Sequence, residues 1–433
     1  MSSEKLRILL IGNGGREHAI AWKASQSPRV EHIFVVPGNG GTAQLPNVTN
    51  VSSIGQEDFP ALVKFAKSNS INLVIPGPEA PLVAGVVDYF SEHGGKDILC
   101  FGPSKAAARM EGSKTFSKDF MERHNIPTAS YANFSDFDSA SSYLSSISHP
   151  VVIKASGLAA GKGVIIPQTT AEAQDALKDI MLDKEFGTAG DEVVIEEFLE
   201  GDELSILSFC DGKTIKSLPP AQDHKRIGDG DTGPNTGGMG TYAPTTIAPK
   251  EIVERIHRDI LQPTIDRMRE QGFEFKGVLF TGLMMTKGGP KVLEYNVRFG
   301  DPETQSLLAL MEGDLAEVMV ACAEGRLADV DIKVGEGRSA ATVVVAAGGY
   351  PGSYAKGTVM SIDELPEADV VLFHAGTSFA DNTLKTSGGR VIASTATATT
   401  LEDAVKKAYK GVECIHFDGM QYRKDIAGRA LKR

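Results

Sequence analysis

The chain has 433 residues, more than one hydrophobic core usually organises, so two to four domains are expected. Its 56 acidic against 44 basic side chains, a formal net charge of -12, argue against a nucleic-acid binder, whose affinity rests on clustered Lys and Arg. With 41% hydrophobic and 23% charged residues and no repeat, an ordinary globular chain acting on small metabolites is expected.

Cys100, Cys210, Cys322 and Cys414 lie far apart with no CxxC pair, which disfavours a zinc knuckle or a disulfide framework and suits reduced thiols. The opening MSSEKLRILLIGNGGRE has too short an apolar run for a signal peptide, and no segment approaches ~20 apolar residues. A cytoplasmic protein without membrane contact is the expectation.

The first hundred residues alternate strand-like and helical runs: RILLIG, HAIAWKAS, HIFVVPG, FPALVKFAKS, NLVIPG, LVAGVVDYF and ILCFG. This order predicts a doubly wound parallel sheet, with Gly12, Pro37-Gly38, Pro76-Gly77 and Gly102 ending strands whose loops gather into a ligand crevice. The IGNGGREHA turn carries Glu17 where a dinucleotide fingerprint has its third glycine, and VVPGN has no ribose-binding acid. A phosphate or phosphosugar on Gly12–Gly15 is the functional reading and a purely structural turn the alternative, with Arg16 and Glu17 read as exposed enough to assist.

From Ser104 a helical stretch, SKAAARMEGSKTFSKDFMERHN, runs to a break at Ile126-Pro127. VVIKASGLAAGKGVII then sets Lys154 and Lys162 around a loop built on Gly157, Gly161 and Gly163, which suits a polyphosphate. It is no Walker A loop, because three residues rather than four precede Gly161-Lys162 and Gly163 replaces Ser or Thr. Similar residues also serve a plain strand connection. A helix over TTAEAQDALKDIMLD starts at Thr170 and Glu172.

In EEFLEGDELS, a connection between lobes can offer backbone groups to an adenine and a carboxylate to a ribose, although a hairpin with charged ends looks the same. The loop DHKRIGDGDTGPNTGGMG reads either as disordered surface or as a clamp in which Asp223, His224, Lys225 and Arg226 hold a zwitterion or phosphate. After the long helix PKEIVERIHRDILQPTIDRMREQG, strand alternation in KVLEYNVRFGDPE puts Glu294, Asn296 and Arg298 on one face and Leu293, Tyr295 and Val297 on the other. Glu294 and Asn296 are hard oxygen ligands suited to a phosphate-bound Mg²⁺; a half-buried strand is the bland alternative. No HExxH or nucleophile elbow occurs. Near residue 327 a further α+β unit begins, with Thr400 and Asp403 capping a helix striped by Leu401, Val405, Ala408 and Val412.

In order, EGSKTFSKDF, VVIKASGLAAGKGV, IEEFLEGDELS, QDHKRIGDGDTGPNTGGMG and LEYNVRFGDPETQ resemble the ATP-grasp enzymes. With IGNGGREHA before them and GGRVIASTATATTLEDAVKKAY and YRKDIAGRAL after, essentially all 433 residues resemble the phosphoribosylamine glycine ligase family. The resemblance implies an N-terminal α/β substrate domain at 1–104, an ATP-grasp domain at 105–326 with a mobile flap near 126–194, and a small α+β domain at 327–433. It implies ligation of glycine to 5-phosphoribosylamine with ATP, through a glycyl phosphate, in purine synthesis.

Carried over residue by residue, the resemblance puts Lys114 and Lys154 on the ATP phosphates under a flap of Gly157, Gly161, Lys162 and Gly163. Glu196, Glu197 and Leu199 fall at the adenine, Glu203 at the ribose, and Glu294 with Asn296 on Mg²⁺ or Mn²⁺. GVLFTGLMM offers no further metal ligand. Lys154, Arg298 and Asp223 carry the chemistry; Gly12, Asn13, Gly14, Gly15, Gly77, Pro78 and Glu79 hold the phosphoribosylamine, and Asp223, Lys225 and Arg298 assist with glycine. The alternatives are another ATP-grasp carboxylate-amine ligase and a non-catalytic nucleotide sensor. Family members occur alone and within multifunctional purine-pathway chains.

Overall fold

Alternate side chains of the first strand, β1 (Leu6–Gly12), enter two different cores, and this sets the N-terminal architecture. Ile8 and Leu10 pack with Ala19 and Ile20 of α1 (Gly15–Ala24), whereas Leu9 and Ile11 pack with Leu62, Val63 and Ala66 of α2 (Phe59–Ser68). A strand apolar on both faces needs helices on both sides. The computed structural model describes residues 5–159, 161–365 and 367–432. In it β1 lies mid-sheet among β2 (Val30–Pro37), β3 (Val48–Asn50), β4 (Leu73–Pro76) and β5 (Leu99–Cys100). Their order is β3-β2-β1-β4-β5 and every pair is parallel, as expected. Helices α3 (Glu79–Ala84) and α4 (Val86–His93) follow β4.

The helical stretch from Ser104 is two helices, α5 (Lys105–Gly112) and α6 (Lys114–Arg123). Ser113 leaves helical geometry at φ -143 and its hydroxyl accepts a hydrogen bond from the Phe116 amide, capping α6. The segment expected as a flap contains a sheet of β6 (Tyr131–Phe134), β7 (Val151–Ala155), β8 (Val164–Ile165) and β9 (Val193–Glu197), ordered β6-β9-β7-β8. Its core is shared with α7 (Phe137–Ser146) and α8 (Thr170–Met181). Thr169, rather than Thr170, caps α8, its hydroxyl accepting from the Glu172 amide at 3.1 Å. Ala160, part of the predicted flap loop, lies outside the described residues.

Strands β10 (Asp202–Asp211) and β11 (Ile215–Ser217) open the central sheet. The glycine-rich segment expected as either disorder or clamp is ordered into β12 (Gln222–Asp223), β13 (Arg226–Gly228), β14 (Thr232–Asn235) and β15 (Gly240–Ala243). The long helix is interrupted: α9 (Lys250–Ile256) and α10 (Gln262–Glu270) flank a π-helical turn at His257–Leu261, and Pro263 falls in the first turn of α10, where a missing N–H is tolerated. Next, β16 (Lys276–Thr286) and β17 (Gly289–Asn296) complete the order β11-β10-β16-β17. Helices α11 (Glu303–Leu310) and α12 (Leu315–Glu324) follow.

The C-terminal unit contains β18 (Ser339–Ala347), β19 (Ser361–Ile362), β20 (Val370–His374), a hairpin of β21 (Thr377–Ala380) and β22 (Thr383–Thr386), β23 (Arg390–Ala398) and α13 (Leu401–Glu413). Its main sheet runs β12-β15-β18-β23-β20, so two strands from residues 222–243 cross the boundary read at residue 327. Arg423, 1% exposed, anchors the same segment by reaching Asp231 and the Arg226 carbonyl. The Thr400 hydroxyl caps α13 by accepting from the Asp403 amide. All four cysteines are free, and among the described residues no helix is long and apolar enough to cross a membrane.

Candidate active site

Capping of α6 at Ser113 places Lys114 and Lys118 one turn apart on the same helical face. The Lys114 ammonium donates to the Gly157 carbonyl at 3.2 Å, at the start of the flap loop. From β7, Lys154 donates to the Leu293 carbonyl at 3.1 Å and lies 2.9 Å from Glu196 on β9. Lys118 lies 2.9 Å from the other Glu196 oxygen. Three lysines therefore gather under the flap. Lys162 is not among them; it is exposed on the loop.

Gly157 needs its lack of side chain, since a Cβ there would sit 2.7 Å from Ala189 Cα, while Gly161 holds φ +75 in open space. The first is a packing requirement and the second a turn requirement.

Opposite the lysines, β16 and β17 pair out of simple register. Gly282 faces Glu294 and Leu283 faces Val292, so Leu293 is the extra residue of a β-bulge. Val292, Tyr295 and Val297 enter the core, but Leu293, expected on the face of Tyr295 and Val297, instead joins Ala129, Leu199 and Met284 in a small apolar cluster. Strict alternation cannot register one inserted residue. Beside that cluster, Glu197 pairs with Lys291 at 3.0 Å and accepts from the Ser130 amide.

Burial by itself would raise the Glu294 carboxyl, but Lys225, Lys154, Lys114 and Arg298 outweigh it and hold the group below the usual carboxylate range. Burial opposes the Lys225 ammonium, and Glu203, Asp223 and Glu294 reverse this, raising it well above the ordinary lysine value. Glu203 and Lys225 are 2.7 Å apart, with side chains 42% and 41% exposed, so the pair lines an opening rather than a core. Asp223 is pushed up by burial to about 7, with Lys225 opposing. Glu303, 4% exposed, is also raised by burial and accepts from the Ser205 hydroxyl at 3.3 Å. Arg298 is gripped by Glu79 at 3.3 Å and Glu111 at 3.0 Å.

Through Glu79 this cluster meets the crevice of the parallel sheet. Pro78 precedes α3 and Glu79 begins it, two residues after Gly77. Arg16 donates to the Phe299 carbonyl at 3.1 Å. Arg16 and Glu17, read as exposed, are in fact 7% and 1% exposed. The Glu17 carboxylate accepts from the Gly14 amide at 2.6 Å and packs where side chains on Gly12 and Gly77 would lie. Asn13 is exposed, its carbonyl accepting from Asn39 at 2.9 Å; Gly15 abuts Gln305. Asp301 accepts from the Arg16 amide at 3.4 Å and lies 3.4 Å from Arg390 of β23, tying the turn to the C-terminal sheet.

Among the expected residues, Lys114, Lys154, Lys225, Glu294 and Arg298 thus share one electrostatic neighbourhood, and Asn296 lies two residues beyond Glu294 on β17. The Glu196 carboxylate is 2% exposed and turned onto lysines. Lys118, Glu111, Asp301, Glu303 and Arg390 were not anticipated as members. The spacing of Lys114 and Lys118 and the acids of FGDPE were available signals; Glu111 and Arg390 had none.

Matches to family models divide the chain in the same sequence of parts. Residues 6–111 match the phosphoribosylglycinamide synthetase N domain, 112–304 its ATP-grasp (A) domain and 340–429 its C domain. A phosphoribosylamine–glycine ligase of Vibrio parahaemolyticus is 49% identical over 432 residues, covering 99% of each chain. The chain belongs to the phosphoribosylamine–glycine ligase family. A solved ligase of this family from Thermotoga maritima superposes with a TM-score of 0.85 at 34% identity, covering 98% of this chain and 100% of that one. Biotin carboxylase from Campylobacter jejuni shares the fold alone, with a TM-score of 0.75 at 14% identity, covering 97% of this chain and 93% of that one. The bifunctional purine biosynthetic protein PUR2,5 of Pichia angusta is 59% identical over 433 residues. The chain spans 54% of that relative's length, about half, so family members stand both alone and inside longer chains.

Proposed function

We propose that this chain joins glycine to 5-phosphoribosylamine to form glycinamide ribonucleotide in purine synthesis, converting ATP to ADP and phosphate, in the cytoplasm. The observation that carries the reading is the approach of Lys154 to the strand bearing Glu294, a cation and a carboxylate on opposite walls of one cleft. Lys114 and Lys154 bind the triphosphate under the 157–163 flap. The apolar cluster of Leu199, Met284 and Leu293, with Glu197 beside it, suits the adenine, and Glu203 the ribose.

Glu294 and Asn296 form an oxygen donor set, and Lys114, Lys154 and Lys225 leave Glu294 ionised, which fits Mg²⁺ or Mn²⁺ held jointly with a nucleotide. When bound, that ion would neutralise charge on the phosphate oxygens.

Glycine's carboxylate is a poor acyl donor. Its oxygen attacks the γ-phosphorus and ADP leaves, giving glycyl phosphate; the phosphoribosylamine nitrogen then attacks the carbonyl carbon, and phosphate leaves. Arg298 orients the glycine carboxylate and Asp223 its ammonium. Lys154 stabilises the phosphoryl charge by preorganised electrostatics. Flap closure excludes the water that would hydrolyse the acyl phosphate. Gly12, Asn13, Gly14 and Gly15, with Gly77, Pro78 and Glu79, seat the phosphoribosylamine at the mouth of the parallel sheet.

The test is a coupled ADP assay with freshly formed phosphoribosylamine and glycine. ADP release that needs both substrates supports the reading. Equal release with glycine withheld or replaced by another carboxylate overturns it.

A further inference from the structure

Lys118 has no part in the reaction proposed above, yet it is 3% exposed and shares the Glu196 carboxylate with Lys154. Its ammonium faces Glu196 at 2.9 Å and donates to the Thr128 hydroxyl at 2.7 Å. Thr128 in turn donates to the Val292 carbonyl at 2.6 Å, and Lys154 donates to the next carbonyl, that of Leu293. Both carbonyls belong to the bulge that turns Glu294 into the cleft, so the two lysines read the same irregularity in β17.

Glu196 has a lysine at each oxygen. Lys118, fixed by its hydrogen bond to Thr128, lies 2.9 Å from one of them. The other is 2.9 Å from Lys154 but has no hydrogen-bonding partner, so the Lys154 contact is an ion pair without hydrogen-bond geometry. Lys154 is thus held near Glu196 without being committed to it. A buried carboxylate deprived of one counter-ion draws the remaining one closer, because an uncompensated buried charge is costly.

We propose that Lys118 is a positioning residue for Lys154: by engaging Glu196 it keeps the second ammonium available to the triphosphate. This rests on the ATP reading of the cleft and assigns Lys118 no contact with substrate. Burial lowers the Lys118 ammonium to about 8 and Glu196 opposes that shift, as expected of a cation kept charged by one carboxylate.

The test is equilibrium binding of a non-hydrolysable ATP analogue to the full chain, alongside glycine KM and thermal unfolding. Lys118→Met should weaken the analogue about tenfold as Lys154 collapses onto Glu196, with glycine KM within about twofold of the parent. The double variant Lys118→Met with Glu196→Gln should recover analogue binding to within about threefold, a non-additivity reporting the pair. Unchanged analogue binding in Lys118→Met, equal losses for ATP and glycine, or a double variant weaker than either single one overturns the proposal. If Lys118→Met does not fold, the double variant decides alone, and a tenfold loss in it overturns the role. Failure of the unmodified chain to bind the analogue would instead sink the ATP reading.

Discussion

The Lys154 ammonium and the Glu294 carboxylate arise on different sheets yet share one electrostatic neighbourhood, because Lys154 donates to the carbonyl of Leu293, the residue immediately before Glu294. That hydrogen bond ties β7 to β17 of the central sheet. Glu294→Gln keeps the shape and removes the charge, and should lower the rate about 10²-fold or more if the carboxylate holds the divalent ion. Turnover at graded Mg²⁺ checks this, and near-normal magnesium-dependent rates would refute the role.

Asp223 titrates where the assay can see it. Its carboxyl is raised by burial to about 7, and only the ionised form attracts glycine's ammonium. Apparent glycine KM should therefore fall about tenfold as pH rises from 6 to 8. Asp223→Asn should raise the KM and flatten the dependence; an unchanged pH profile in that variant removes Asp223 from the glycine site.

Arg298 is proposed to hold glycine and is ion-paired with Glu111, so its loss should register twice. Arg298→Ala should raise the glycine requirement, and unchanged glycine kinetics would rule out the assignment. It also strands Glu111, whose side chain is 7% exposed, at a cost of about 3 kcal/mol. Denaturant unfolding measures that cost, and Arg298→Ala combined with Glu111→Gln should regain part of the stability but none of the glycine affinity.

In the flap, Gly161 holds φ +75, which proline cannot adopt. Gly161→Pro should cut turnover at least tenfold and cost proportionately less in the unfolding midpoint, since among the described residues no atom lies within 4 Å of a side chain there and the strain falls on the loop alone. Equal loss of stability and rate would count against a moving flap.

Acid should loosen the seam between the first and last units. The His18 ring accepts from the His374 amide at 2.8 Å, and burial depresses the two imidazoles to about 3 and about 4. Both lie below the unfolded value of 6.5, so the unfolded chain takes up more protons between about 4 and 6.5. Their stabilisation is complete above about 6.5 and is lost as pH falls, by about 1.4 kcal/mol per unit of gap for each ring. Melting temperatures at pH 7 and pH 4.5 check the trend, and His374→Gln should shrink the difference.

The parallel sheet was legible because Leu6–Gly12 is apolar on both faces and each strand ends in glycine or proline. Lys154, Glu294 and Arg298 were singled out because their residue types suit a triphosphate and its counter-ion, and the structure brings them into one electrostatic neighbourhood. Leu293 was misplaced because a bulge leaves no mark in the alternation of side chains. Glu17 was misread because a carboxylate in the first helical turn looks exposed until Gly12 and Gly77 close over it. Strands β12 and β15 were missed for want of length, since two to four residues show no period, and β18, the outer partner of β15, lies about a hundred residues on.

That borrowed edge has a further bearing on how such a protein can be rearranged. Severing the polypeptide near residue 327 would strip the last sheet of two strands and leave Gly240–Ala243 paired only with the short strand Gln222–Asp223, so neither fragment would be a self-sufficient module. Shuffling or fusing this unit is therefore safest when it travels whole.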